Sequence, residues 1–111
     1  MPRKLEAYIE GILKSIIDVE TFTKDLDFDQ YAGDAKTKAA VKRKLLTIGE
    51  ALNQASQMSV EVQAKVTDFR KIVGFRNILV HGYFGVDDAL VWDIITTKLK
   101  QLKKDVVGLQ S

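Results

Sequence analysis

The chain has one histidine, and it stands in the segment Phe75-Arg76-Asn77-Ile78-Leu79-Val80-His81-Gly82-Tyr83-Phe84. Around a run of three apolar residues this places a fixed cation, an amide, a group that titrates near neutrality and a phenol. Those types suit cleavage of a phosphodiester. A base must take the proton from a ribose 2′-hydroxyl, and a cation must hold the charge that builds on the phosphorane; His81 and Arg76 are the candidates for the two roles. The leaving 5′-oxygen also needs a proton, and one imidazole cannot be base and acid in the same turnover. A homodimer that faces two such segments across one cleft would supply both. The same spacing also serves structural ends: a histidine near a helix C-terminus complements the dipole, an arginine seven residues before a tyrosine can stack on it, and a Gly-Tyr-Phe-Gly run can be a packed turn. The segment alone leaves both readings open.

On an ideal helix residues seven apart nearly eclipse, so Arg76 and Tyr83 would share a face, whereas His81 would lie roughly 140° around from Arg76. A straight helix therefore does not gather all three. A helix ending over Val80 to Gly82, with Gly82 permitting a turn, would bring His81 back toward Arg76 and set the segment's end at a cleft.

The elements that must position this segment read as helices. Leu5, Ile9, Ile12, Ile16, Val19 and Phe22 recur at three- and four-residue steps and predict a first amphipathic helix from about Lys4 to Thr23. The acid-rich stretch after it, with a glycine and no helical period, reads as a connector ending at Asp34, a good N-cap. A second helix is expected from Ala35 to Met58, burying Val41, Leu45, Ile48, Leu52 and Ala55. Ser59 is placed to cap a short helix from Val60, and Thr67 or Asp68 the next, which carries Phe69, Ile72, Val73, Ile78 and Leu79 toward the core and stops near His81 or Gly82. Asp87 caps a last helix with Leu90, Ile94, Ile95, Leu99, Leu102 and Val106 inward. The expected fold is all-α, an antiparallel bundle of four main helices plus one short one, forming a single domain over 1–111.

Composition narrows the chemistry. With 111 residues, 46% of them hydrophobic, the chain fills one modest core. The absence of cysteine removes disulfides, thiolate metal sites and a cysteine nucleophile, and is compatible with a reducing cytoplasm. No stretch of about 18 apolar residues occurs, so the chain reads as neither exported nor membrane-spanning. With one histidine and no paired-carboxylate motif, a metallonuclease is disfavoured and no cofactor is called for. The formal net charge is only +2, so contact with RNA must rest on local clusters: Lys36, Lys38, Lys42, Arg43 and Lys44, or Lys98, Lys100, Lys103 and Lys104. Charge runs of this kind are most often solvated helix faces. Trp92 lies among apolar residues and reads as core or dimer contact rather than a platform for a base.

The stretch from Arg76 to Tyr83 resembles the Arg-x4-His-x-Tyr signature of HepT toxins, a form of the Arg-x4-6-His motif of HEPN ribonucleases. Val73 to Asp87, with Val91-Trp92-Asp93-Ile94-Ile95, looks like that family's central block, and Leu45 to Asn53 like its upstream helix. The Pro-Trp dipeptide common before the block in relatives is missing, with Thr67-Asp68 nearby. The resemblance implies a HEPN bundle, a homodimer with the cleft between protomers, and cleavage of RNA without a metal. It makes Arg76 and His81 the catalytic pair, Asn77 the polar residue that follows the arginine, and Glu50 a residue that orients Arg76 or Arg43. It also makes Tyr83 the tyrosine that a cognate MntA antitoxin, a minimal nucleotidyltransferase, modifies with AMP from ATP. A reading of another class uses the same cleft without catalysis, as a helical dimer that holds a nucleotide or docks a nucleotidyltransferase. A plain dimerisation module is a third, against which the intact Arg, His and Tyr set argues.

Overall fold

The computed structural model describes residues 2–82 and 87–110. Its elements are α1 (Arg3–Thr23), α2 (Phe28–Ala32), α3 (Ala35–Met58), α4 (Val60–Lys65), α5 (Phe69–His81), α6 (Asp88–Asp93), a π-helical turn (Ile94–Lys98) and α7 (Leu99–Leu109). The last three follow without a break and form one long helical run. There is no strand among the described residues, and the fold is the helical bundle that the periodicities predict. In it α1 packs along α3, α5 lies on α3, α7 lies on α1, and α6 meets α2.

The expected stripes account for most of the core. Leu5, Ile9, Ile12, Ile16 and Val19 of α1 meet Val41, Leu45, Ile48, Leu52 and Ala55 of α3, closed by Leu99, Leu102 and Val106 of α7. Three details differ. Phe22 and Leu90 face outward, and Thr23 and Val91 are buried in their stead. On α5 no side chain is fully buried, and Ile78 is 49% exposed although periodicity turns it inward. The stretch read as a plain connector contains α2, held by a capping box: Gln30 N–H donates to Asp27 Oδ1 at 2.8 Å, and Asp27 N–H donates to Gln30 Oε1 at 2.9 Å. This short helix delivers Tyr31 to the core.

The helix boundaries have identifiable causes. Asp34 caps α3, accepting from the Thr37 N–H at 3.0 Å and its hydroxyl at 2.7 Å. Asp87 caps α6 by accepting from the Ala89 N–H at 2.9 Å. Asp68 occupies the cap position of α5 at φ 56°, a left-handed conformation uncommon for a residue other than glycine, and makes no capping bond. Its carboxylate instead stands 3.7 Å from Lys98 Nζ, while the neighbouring Thr67 N–H donates to Asp105 Oδ2 at 2.9 Å. The start of α5 is thus tied to the last helical run. Ser59 is extended and makes no side-chain cap bond either. In the π-helical turn the Leu99 N–H reaches back to the Ile94 carbonyl, and the Thr96 and Thr97 hydroxyls donate to the Trp92 and Asp93 carbonyls at 2.9 and 2.7 Å. Such back-bonding competes with the regular ladder and loosens it.

Candidate active site

Arg76 is set against α3 by a glycine. Gly49 is buried in the middle of α3, and a Cβ built there would lie 3.0 Å from the Arg76 Cβ and 3.8 Å from the Ile72 carbonyl oxygen. A larger side chain there would need Arg76 to give way by a few tenths of an ångström. The arginine is next turned by its head group. Arg76 Nη1 donates to Asn77 Oδ1 at 3.3 Å, and Arg76 Nε faces Glu50 Oε1 at 3.7 Å. That distance makes an ion pair but is too long for a hydrogen bond, so Nε is buried with no hydrogen-bond acceptor among the described residues. The two side chains are 36% and 52% exposed, so the pair adds little to stability, about 0–1 kcal/mol. Of the two arginines that Glu50 was expected to orient, it meets Arg76.

His81 is the last residue of α5 and is exposed, with no hydrogen bond or ion pair among the described residues. The helix ends where expected, but the histidine is still within it and does not fold back. Five residues on from Arg76, it lies about 140° around and about 7.5 Å along the axis. Gly82 has φ −79° and ψ 71°, close to an inverse γ-turn that any residue can adopt, so its freedom as a glycine is not what ends the helix. One protomer therefore gathers Arg76, Asn77 and Glu50 but does not bring His81 onto their face. Tyr83 lies outside the described residues.

Beside the motif is an apolar groove of about 490 Å³, walled by Leu45 and Ile48 of α3, Phe75 and Ile78 of α5, Leu90 of α6 and Ile94. The Asp68–Lys98 pair stands at its rim. Ile78 and Leu90 are 49% and 42% exposed, and Val80, on α5, is 48% exposed. Its lining is mostly apolar, with Asp68, Lys71, Asp93 and Lys98 as its charged members.

The charged neighbours sort into two kinds. Lys38 pairs with Asp88 at 3.3 Å and Lys44 with Asp18 at 2.9 Å. The hydrogen bond from Lys44 holds the Asp18 carboxyl below its ordinary range. Lys103 is bound to Glu20 at 2.9 Å. Lys36, Lys42, Arg43, Lys100 and Lys104 form no ion pair among the described residues. Trp92 meets Phe28 edge-on at 6.4 Å and Tyr31 at 5.3 Å, so it packs at the core's edge rather than presenting a platform. Burial, reinforced by Asp88, pushes the Tyr31 phenol up to about 12. Among the described residues no three histidine or carboxylate side chains cluster as a metal site, and no helix is long and apolar enough to cross a membrane.

Sequence reasoning found every polar residue that this site brings together. It missed Gly49 as the seat of Arg76, although a lone glycine inside a strong helical pattern is itself a signal of close backbone approach.

Comparison with known proteins agrees with the family resemblance. The pattern of a family described as "Ribonuclease HepT-like" matches residues 12–107. Two proteins of Methanocaldococcus jannaschii, "Putative RNase MJ1380" and "Putative RNase MJ0127", are 38% and 32% identical to the chain. The alignments cover 94% of this chain and 94% of the first, and 97% of this chain and 95% of the second. "Probable ribonuclease HepT" of Thermococcus cleftensis is 32% identical, with 93% of each chain covered. No solved structure matches the chain.

Proposed function

The chain belongs to the HepT-like ribonuclease family, and from that membership and the seating of Arg76 we propose that it is a metal-independent endoribonuclease and the toxin of a toxin–antitoxin pair. The observation that carries the reading is an arginine seated on Gly49 beside Glu50 and Asn77, with its side chain still part-exposed, on the same helix as a solvent-facing His81. Such an arginine is preset for an anion.

His81 takes the 2′-hydroxyl proton, the 2′-oxygen attacks phosphorus, and Arg76 holds the charged phosphorane. The P–O5′ bond then breaks, leaving a 2′,3′-cyclic phosphate and a 5′-hydroxyl. The proton for that oxygen comes from the partner's His81. The outward setting of His81 favours this arrangement, since its own helix keeps it off the face of Arg76. A homodimer joined through α5 and the last helical run has a fitting surface in Ile78 and Leu90, which a single protomer leaves open to solvent, beside the part-buried Phe75 and Ile94.

The partner that silences the toxin is a minimal nucleotidyltransferase. It transfers AMP from ATP to Tyr83: the phenol oxygen bonds to the α-phosphorus, and pyrophosphate leaves. The new phosphodiester brings a negative charge two residues from His81, where it competes with RNA for Arg76 and the adenosine blocks entry. RNA substrate and partner together place the activity in the cytoplasm.

The test is cleavage of total RNA by the purified protein in EDTA, with His81→Ala and Arg76→Ala beside it. Cutting by the wild type that both substitutions abolish, with helicity unchanged, is expected. Cutting by His81→Ala at the parental rate, or loss of activity on chelation, overturns the mechanism. A protein that binds nucleotide but cuts no RNA belongs instead to the noncatalytic reading.

A further inference from the structure

We propose that Lys36 and Arg43 form a phosphate track along α3 that leads single-stranded RNA to Arg76. The inference rests on the ribonuclease reading above and adds to it the route by which substrate arrives.

Five cations crowd residues 36 to 44, and the structure divides them. Lys38 and Lys44 are tied to Asp88 and Asp18 of other helices and so fasten the bundle. Lys36 and Arg43 are exposed and have no ion pair among the described residues; Lys42 has none either, but it is half-buried and lies one residue off their row. The acid nearest Lys36 in sequence, Asp34, makes no ion pair with it: its carboxylate is held chiefly by the Thr37 amide and hydroxyl, with smaller contributions from the Lys36 backbone and charge. Lys36 and Arg43 are seven residues apart and so nearly eclipse on α3. Seven further on, the same face carries Glu50, the residue that meets Arg76. A row of this kind advances about 10.5 Å at each step, the span of roughly three stacked nucleotides. Between the two cations lies the exposed Ala39, which raises no side chain against a passing backbone. The acid in the row, Glu50, faces Arg76. Lys36, Arg43 and Arg76 therefore offer three cationic points in line, with the last at the proposed scissile phosphate. Phosphate contacts of this sort position a strand without reading its sequence.

The experiment measures binding of a 2′-O-methyl oligonucleotide of about fifteen nucleotides, long enough to span the row and resistant to cutting for want of a free 2′-hydroxyl. Fluorescence anisotropy is followed as salt is raised. Lys36→Gln with Arg43→Gln should weaken binding about tenfold near 0.1 M salt and make the slope of log K against log salt shallower by about 1.4, two single-strand contacts. Lys36→Arg with Arg43→Lys should keep the parental slope. Cutting of a dinucleotide, whose single phosphate would sit at Arg76, should stay at the parental rate in the glutamine variant. The same charge removed from α7, as Lys100→Gln with Lys104→Gln, should alter binding by no more than about twofold. The track is overturned if the α3 variant keeps its slope, or if the α7 variant loses as much. Neither result touches the ribonuclease reading, provided the wild type still cuts RNA. A wild type that neither binds nor cuts RNA removes both.

Discussion

Glu50 Oε1 stands 3.7 Å from Arg76 Nε across the contact of α3 with α5, with both side chains part-exposed. A pair so placed aims a guanidinium more than it stabilises a fold. Glu50→Gln is therefore expected to leave the melting temperature within about 2 °C of the parent while lowering kcat about tenfold, with KM unchanged or lower because a negative charge near RNA is gone. Steady-state kinetics on a defined oligonucleotide separate the two constants. A kcat equal to the parent's would show that the ion pair does not position Arg76.

Gly49 gives the opposite signature. The added methyl of Gly49→Ala must displace the Arg76 Cβ from 3.0 Å, and overpacking of that kind costs about 1–3 kcal/mol. Denaturant unfolding should show the loss, together with reduced cleavage as α5 is pushed outward. An alanine variant as stable as the parent would mean that the helices slide apart freely and that the close approach sets nothing.

Helices α1 and α3 were legible for a simple reason. Each stripe of α1 and α3 is long and regular, and Asp34 and Asp87 are residues whose side chains take the first free amides of a helix. What escaped the sequence depended on contacts distant along the chain. Asp68 looks like a cap, but Lys98 draws its carboxylate across the bundle and the backbone adopts φ 56°. Leu90 and Val91 compete for one inward position ahead of a π-helical turn that shifts the register, and a regular period chooses wrongly between them. The short α2 is too brief for a period, and its Asp27 and Gln30 pair reveals it only through local capping. The catalytic candidates themselves were visible as residue types, whereas the disposition of His81 was not, since it turns on whether a helix stops before or after one residue.

Acid unfolding carries a mark of the α3 cap. Hydrogen bonds from the Thr37 amide and hydroxyl hold the Asp34 carboxyl below its ordinary value of 3.8. A carboxyl lowered in the folded state contributes stability above its unfolded pKa, and that contribution fades as pH falls through the folded value. The wild type should thus melt above Asp34→Asn at about pH 7, and the gap should close as pH drops below about 3.8. Thermal melts across this range read it directly. A gap that stays constant or widens in acid would exclude a charged cap as the source.

Control by the partner enzyme makes a separate claim on Tyr83. Incubation with a cognate nucleotidyltransferase and ATP should raise the intact mass in AMP steps, with the first mapping to Tyr83, and cleavage should fall in proportion. Tyr83→Phe should escape both effects while retaining most nuclease activity. A phenylalanine variant still silenced in an ATP-dependent way would refute this mode of control.

In the proposed mechanism one active cleft needs the histidines of two protomers, because α5 leaves each His81 on a different side from its own Arg76. Co-expression of wild-type and His81→Ala chains under different affinity tags, followed by two-step purification, isolates the mixed dimer. Its RNA cleavage rate in EDTA, set against the parental homodimer, is the most direct measurement. Loss of one proton-transfer group should lower that rate at least about a hundredfold. A mixed dimer that keeps about half of the parental rate would mean that each protomer cleaves with its own histidine, and would contradict the shared cleft.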